Sequence, residues 1–138
     1  MDVCALPGHA AEDLEPGWVT ARAELTRIRD LVAPQPVVVL AIPDEFQVND
    51  ALRDEVLARI TASGRAREGF DLELPQRRLA ALCAELGVAL VDPLPELRRR
   101  TADGEVLYLT DDSHWNAAGN QLGARLLSGA PALQELGS

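Results

Sequence analysis

The sequence predicts an α/β fold, a parallel sheet flanked by helices, and three observations carry that expectation. Segments with helical periodicity alternate with short apolar runs, the order expected when crossover helices pack on a parallel sheet. Val37-Val38-Val39-Leu40-Ala41-Ile42 has no polar alternation, which is the pattern of a parallel strand buried on both faces. Val88-Ala89-Leu90-Val91 repeats this character after intervening helical segments, and such crossovers return in parallel.

The opening is punctuated by Pro7-Gly8 and Pro16-Gly17 and reads as irregular through residue 17. Residues 18–32 read as a helix, with Leu25, Ile28, Leu31 and Val32 inward and Arg22, Glu24, Arg27 and Arg29 outward. Pro34 and Pro36 stop it, and Pro43 ends the strand that follows. Asp50 can cap a helix over 51–62, with Asp54 and Glu55 in its first turn and Leu52, Val56, Leu57 and Ile60 inside. A polar connector, 63–69, precedes Pro75, which suits a first helical position. The helix over 75–86 carries Leu79, Leu82, Cys83 and Leu86 on one stripe, with Gly87 as its stop. The second strand ends at Asp92-Pro93. A short helix over 94–100 and a turn at Asp103-Gly104 lead into an extended Val106-Leu107-Tyr108-Leu109. The last helix runs from near Asn116 to Leu127, and Gly119 and Gly123, four apart, leave one face bare enough to lie against a sheet.

At 138 residues the chain is the size of one domain, spanning 1–138. No apolar run approaches the length of a membrane span, and Met1-Asp2-Val3-Cys4 has neither the basic nor the apolar region of a secretory signal. The net charge is −9, evenly spread, and all 13 cationic side chains are arginine. An acidic chain without a basic stripe is a poor binder of phosphate backbones, so nucleic acid is not an expected partner. Arg98-Arg99-Arg100 is the one cationic cluster, and it suits the C-terminal end of a helix. Cys4 and Cys83 have no metal spacing and form no disulfide framework; Cys83 reads as a small buried hydrophobe.

Chemistry concentrates in Thr110-Asp111-Asp112-Ser113-His114-Trp115-Asn116, a loop after an extended segment and before a helix. Open α/β sheets hold their sites in such loops. A histidine base needs a carboxylate to fix its tautomer and stabilise the imidazolium, and Asp111 or Asp112 can supply one within a single turn. The plainer alternative is that these aspartates cap or turn the chain while Trp115 plugs the edge of the core. A metal site of Asp111, Asp112 and His114 is a weaker reading, because all three ligands share one short loop.

Tyr-Leu-Thr-Asp-Asp-Ser-His-Trp-Asn-Ala-Ala-Gly, residues 108–119, resembles the C-terminal block of the SGNH (GDSL-like) hydrolases and acyltransferases. It looks most like the branch that writes Asp-x-His-Trp-Asn-x-x-Gly and includes alginate-acetylation-type enzymes. Residues 37–48 resemble the strand and loop that lie upstream of that block, so the resemblance covers about 18–127. It implies a three-layer, flavodoxin-like α/β sheet. It also implies a serine esterase or O-acyltransferase acting on acyl esters, with acetyl groups on carbohydrate among the substrates, and no cofactor. By the same resemblance His114 is the general base, with Asp112 the preferred orienting carboxylate and Asp111 the alternative. Trp115 and Asn116 shape the loop and start the last helix, and Gly119 lets that helix pack closely.

The departures are as informative. The family's nucleophile sits in an upstream Gly-Asp-Ser block, whereas Ser63, Ser113, Ser128 and Ser138 here do not follow Gly-Asp. The family's Gly and Asn oxyanion donors have no match, and Asn49, lying after the first strand, reads as a helix-start residue. The expectation is therefore the C-terminal portion of an SGNH domain without its N-terminal strands, inactive alone. The rival is a non-catalytic remnant or binding module that keeps the His loop. Proteins of this branch often work outside the cytoplasm.

Overall fold

The computed structural model describes residues 10–64, 71–110 and 112–134. Its elements are α1 (Ala10–Val32), β1 (Val38–Leu40), α2 (Glu45–Val48), α3 (Asp50–Ala62), α4 (Leu74–Leu86), β2 (Ala89–Val91), α5 (Leu94–Ala102), α6 (Ala117–Ser128) and α7 (Pro131–Gln134). The described residues are thus mostly helical around one two-stranded sheet. β1 and β2 run parallel, with Val38 opposite Ala89, Val39 opposite Leu90 and Leu40 opposite Val91, as their shared apolar character predicts. The expected burial on both faces is not found. Both strands are half-buried and Ile42, beyond the end of β1, is 65% exposed; among the described residues each strand has one paired neighbour. The extended segment 106–109 forms no strand; a single antiparallel bridge joins Tyr108 to Trp115.

Helix boundaries follow local chemistry. Asn49, rather than Asp50, caps α3: its side chain accepts from the Ala51 and Leu52 amides at 3.1 and 3.2 Å. Asn49 is still extended (φ −97°, ψ 110°), whereas Asp50 is already the first helical residue. Pro75 opens α4, and Gly87 at φ 65° ends it in the left-handed conformation that glycine adopts without steric cost. Two short helices were not anticipated. α2 begins at a capping box in which the Gln47 side chain accepts from the Asp44 amide at 2.9 Å while Asp44 accepts from the Phe46 amide at 3.3 Å. α7 begins at Pro131, a residue suited to a first helical turn.

The helix expected at 18–32 starts instead at Ala10 and carries Pro16 inside it. A proline removes one backbone donor but holds a helical φ, and the surrounding alanine, leucine and glutamate are strong helix formers. The stripe expected to face inward is largely wet: Ile28 is 46% and Leu31 81% exposed. The reason is that α1 packs on α4 through other side chains. Arg22 pairs with Glu85 and Arg78 with Glu15, Arg29 donates to the Leu86 carbonyl at 3.1 Å, and the Arg78 guanidinium stacks over Trp18.

The core gathers Val48 of α2, Leu94 and Leu97 of α5, Leu107, Tyr108, Trp115 and Leu122 of α6, with Leu40 and Leu126 against it. Leu97 has no exposed surface. Cys83 is buried among apolar neighbours of α4, which pushes its thiol pKa up and leaves it inert; Cys4 lies outside the described residues. The Arg98–Arg100 run is taken up by ion pairs. Arg98 meets Glu73, Arg99 meets Glu96 and Asp103, and Arg100 meets Glu96 and Glu105.

Gln47 is the buried polar hub of this arrangement. It donates to the Leu72 carbonyl at 2.6 Å and to Gln76 Oε1 at 3.0 Å, and its own carbonyl accepts from Arg98 at 2.8 Å. Gln47→Ala leaves the Asp44 amide and the Leu72 carbonyl without these partners, so it is expected to destabilise the domain by about 1–3 kcal/mol. Urea unfolding checks this, and an unchanged midpoint would show that water replaces the side chain at no cost.

Candidate active site

Leu109, Asp112 and His114 are joined in a turn. The Leu109 amide donates to the His114 carbonyl at 2.9 Å, and the Asp112 amide to the Leu109 carbonyl at 3.3 Å. Within this turn Asp112 Oδ1 accepts the His114 backbone N–H at 3.0 Å, and the same oxygen meets His114 Nδ1. An aspartate that binds the backbone two residues on is a local device available to any Asp-x-x sequence. Here it also delivers the carboxylate to the imidazole. The His114 side chain is 81% exposed. Trp115 is bridged to Tyr108 and takes the inward position, and in extended backbone its neighbour then points outward. Asp111 lies outside the described residues.

The loop is tied to the sheet and to α6 by side chains that the sequence places close by. Asn116 caps α6 by accepting from the Gly119 amide at 3.0 Å, while its Nδ2 donates to the Val106 carbonyl at 2.8 Å. The bare face of α6 receives Trp115 and the Leu107 carbonyl rather than a sheet: a Cβ on Gly119 would overlap that carbonyl oxygen, and one on Gly123 would overlap the indole. Tyr108 donates its hydroxyl to the Pro43 carbonyl at 3.0 Å, which fixes the loop at the carboxyl end of β1. Burial pushes the Tyr108 hydroxyl up to about 12, the nearby Trp115 N–H opposes the rise, and the Asp44 and Glu45 carboxylates add to it. Trp115 Nε1 itself is buried without a formed hydrogen bond.

A groove of about 880 Å³ opens between this loop and the α2–α3 corner, with Asp44, Glu45, Asn49, Tyr108, Asp112 and Ser113 among its lining residues. Of the apolar lining from Phe46, Leu52, Val56, Val106 and Leu109, the sequence pattern puts Leu52 and Val56 inside the core, but no residue of α3 is buried and these two line the groove instead; only the fold joins the five, from 46 to 109. The capping box at Asp44 and Gln47 was the one local signal available for that corner. Asn49 Oδ1 is engaged in its helix cap. Ser63 and Ser128 donate to carbonyls at the ends of α3 and α6, at 2.6 and 3.0 Å, and Ser138 lies outside the described residues. Among the described residues, no three His, Cys, Asp or Glu side chains group as metal ligands, and no helix is long and apolar enough to cross a membrane.

The hydrogen bonds from the His114 ring and backbone hold the Asp112 carboxyl below its ordinary value of 3.8. A depressed folded-state pKa contributes stability that is present above the unfolded value and disappears as pH falls through the folded one. The turn is therefore expected to stay closed at neutral pH and to open only as pH falls through this lowered value, with Asp112→Asn abolishing that transition. Amide shifts of Ser113 and His114 followed by NMR from pH 7 to 2 report it; a transition that persists in Asp112→Asn would assign it to another group.

A parallel strand pair with helices packed against it, and an Asp-x-His turn held at the carboxyl end of a strand, is compatible with the α/β fold of an SGNH hydrolase-like domain. The chain belongs to the family described as SGNH hydrolase-like domain, acetyltransferase AlgX, which it matches over residues 38–137. The matched span takes in both strands and the whole His loop, while all of α1 precedes it. No curated protein and no solved structure matches the chain.

Proposed function

We propose that this domain supplies the His–Asp half of the machinery of an SGNH-type serine esterase or O-acyltransferase, with ester-linked acyl groups, including acetyl groups on carbohydrate, as its substrates. The observation that carries the reading is the single Asp112 oxygen shared by the His114 backbone and ring Nδ1. For that oxygen to accept from the ring, Nδ1 carries the proton, and Nε2 is then the basic nitrogen. In the proposed cycle a serine hydroxyl attacks the ester carbonyl carbon as His114 Nε2 takes its proton, and Asp112 stabilises the imidazolium. The proton passes to the leaving alcohol, and water or a sugar hydroxyl then attacks the acyl-serine by the reverse sequence.

The attacking serine is proposed to lie outside these 138 residues, since none of the four here follows Gly-Asp. The three-layer sheet belongs to the same proposal: among the described residues β1 and β2 each have an edge on which further parallel strands can pair. Family membership and the position of the loop at a strand's carboxyl end support the reading.

The tautomer is the direct test. In ¹⁵N NMR of the neutral imidazole, His114 is expected to hold its proton on Nδ1, and Asp112→Asn to shift it towards Nε2. A wild-type ring already protonated on Nε2 would remove the proposed base. That result would favour a module that keeps the turn and performs no chemistry.

A further inference from the structure

The bonds between Asp112 and His114 join near neighbours, so they shape a turn without deciding where it stands on the sheet. Tyr108 supplies that placement. Its side chain is buried, it is bridged to Trp115 beside the histidine, and its hydroxyl reaches 65 positions back to the Pro43 carbonyl. Pro43 is a firm anchor: its side chain is fully buried, its ring fixes φ, and Asp44 after it opens the capping box of α2. Gln47 ties that box to Leu72 and Gln76 and, through its backbone carbonyl, to Arg98. The hydroxyl also has a second neighbour. While it donates to Pro43 its lone pairs can accept, and the Trp115 indole N–H, buried without a formed hydrogen bond, acts on the same oxygen. Burial pushes the phenol up to about 12, so it stays a neutral donor wherever a histidine base works.

We infer that Tyr108 is a positioning residue for acyl transfer: its hydroxyl, held by the Pro43 carbonyl, sets where His114 stands relative to the carboxyl end of β1. This role rests on the acyl-transfer reading and adds to it a residue that touches neither substrate nor reacting atoms. A serine proton passes to Nε2 only across a hydrogen-bonded distance, and a misplacement of about 1 Å costs on the order of 100-fold in rate. Without the hydroxyl, the Tyr108–Trp115 bridge and the Asp112–His114 turn keep their own bonds. They are then free to shift together against β1.

The test compares Tyr108→Phe with Tyr108→p-aminophenylalanine, whose N–H restores a donor on the same ring. In the enzyme that joins this loop to its serine, with p-nitrophenyl acetate as substrate, Tyr108→Phe is expected to lower kcat roughly 10- to 100-fold and to keep KM within about twofold. The amino variant should recover most of the loss. In the 138-residue chain carrying Tyr108→Phe, ¹⁵N shifts of His114 should still place the proton on Nδ1. Residual dipolar couplings should show residues 106–116 reoriented against residues 38–48. Unchanged kcat in a folded Tyr108→Phe protein, a rise in KM alone, no recovery with the amino variant, or wild-type couplings would overturn the inference. Should Tyr108→Phe not fold, the unaltered chain decides: its Tyr108 hydroxyl proton should exchange slowly enough to be seen by NMR, and rapid exchange would overturn the tether. His114→Ala loses turnover in the same assay whether or not Tyr108 matters, so failure of the acyl-transfer reading is a separate result.

Discussion

Gly119→Ala is expected to destabilise the domain by about 2–3 kcal/mol, although alanine is the better helix former. In an exposed helix the exchange would gain up to about 1 kcal/mol. Here the new methyl meets the Leu107 carbonyl oxygen, with Trp115 Cβ at 3.0 Å and Cγ at 3.1 Å on its other side. That carbonyl cannot retreat freely because it accepts the Asn116 amide at 3.0 Å, the bond that holds the end of the His loop. Overpacking against backbone costs about 1–3 kcal/mol and at times more, enough to outweigh the helical gain. Gly123→Ala should cost less, because its methyl meets the edge of the Trp115 ring, which can tilt. Urea unfolding of the two variants tests the order. A Gly119→Ala protein as stable as wild type would mean that α6 slides away from the loop without loss.

His114→Ala is expected to lower turnover by about six orders of magnitude in the enzyme that joins this loop to its serine, and Asp112→Asn by about four. Removing the base leaves the hydroxyl without a proton acceptor, and an asparagine at 112 favours the wrong tautomer. The 138-residue chain alone should hydrolyse p-nitrophenyl acetate no faster than its own His114→Ala variant. A clear rate that vanishes in the variant would place a nucleophile within these residues. If Asp112→Asn keeps near-normal turnover while Asp111→Asn abolishes it, the partner is Asp111 and the acid–His pair survives. If all three variants keep full activity, the loop is only a capped turn.

Much of the site was legible because it is local. Asp112, His114 and Asn116 lie within five residues, and the bonds that join them are turn and cap bonds spanning two or three positions. The parallel pairing of β1 and β2 was legible from their apolar runs, and Gly87, Pro75 and Asn49 mark helix ends by backbone preferences that act one residue at a time. The α1 stripe misled because Leu31 satisfies a helical period whether or not anything packs on it, and periodicity names a face without naming its partner.

The sequence by itself therefore determined the α/β class, the two paired strands, the turn that joins Asp112 to His114, and the glycines that let α6 approach. Only the tertiary structure decided that Trp115 turns inward and His114 outward, and that Tyr108 reaches the Pro43 carbonyl sixty-five residues away. It also decided that Glu45 and Val106 share one groove. Turns and caps are set by bonds between near neighbours, whose geometry each residue type carries with it. A groove is set by which faces the packed core leaves exposed, and that depends on every distant contact at once.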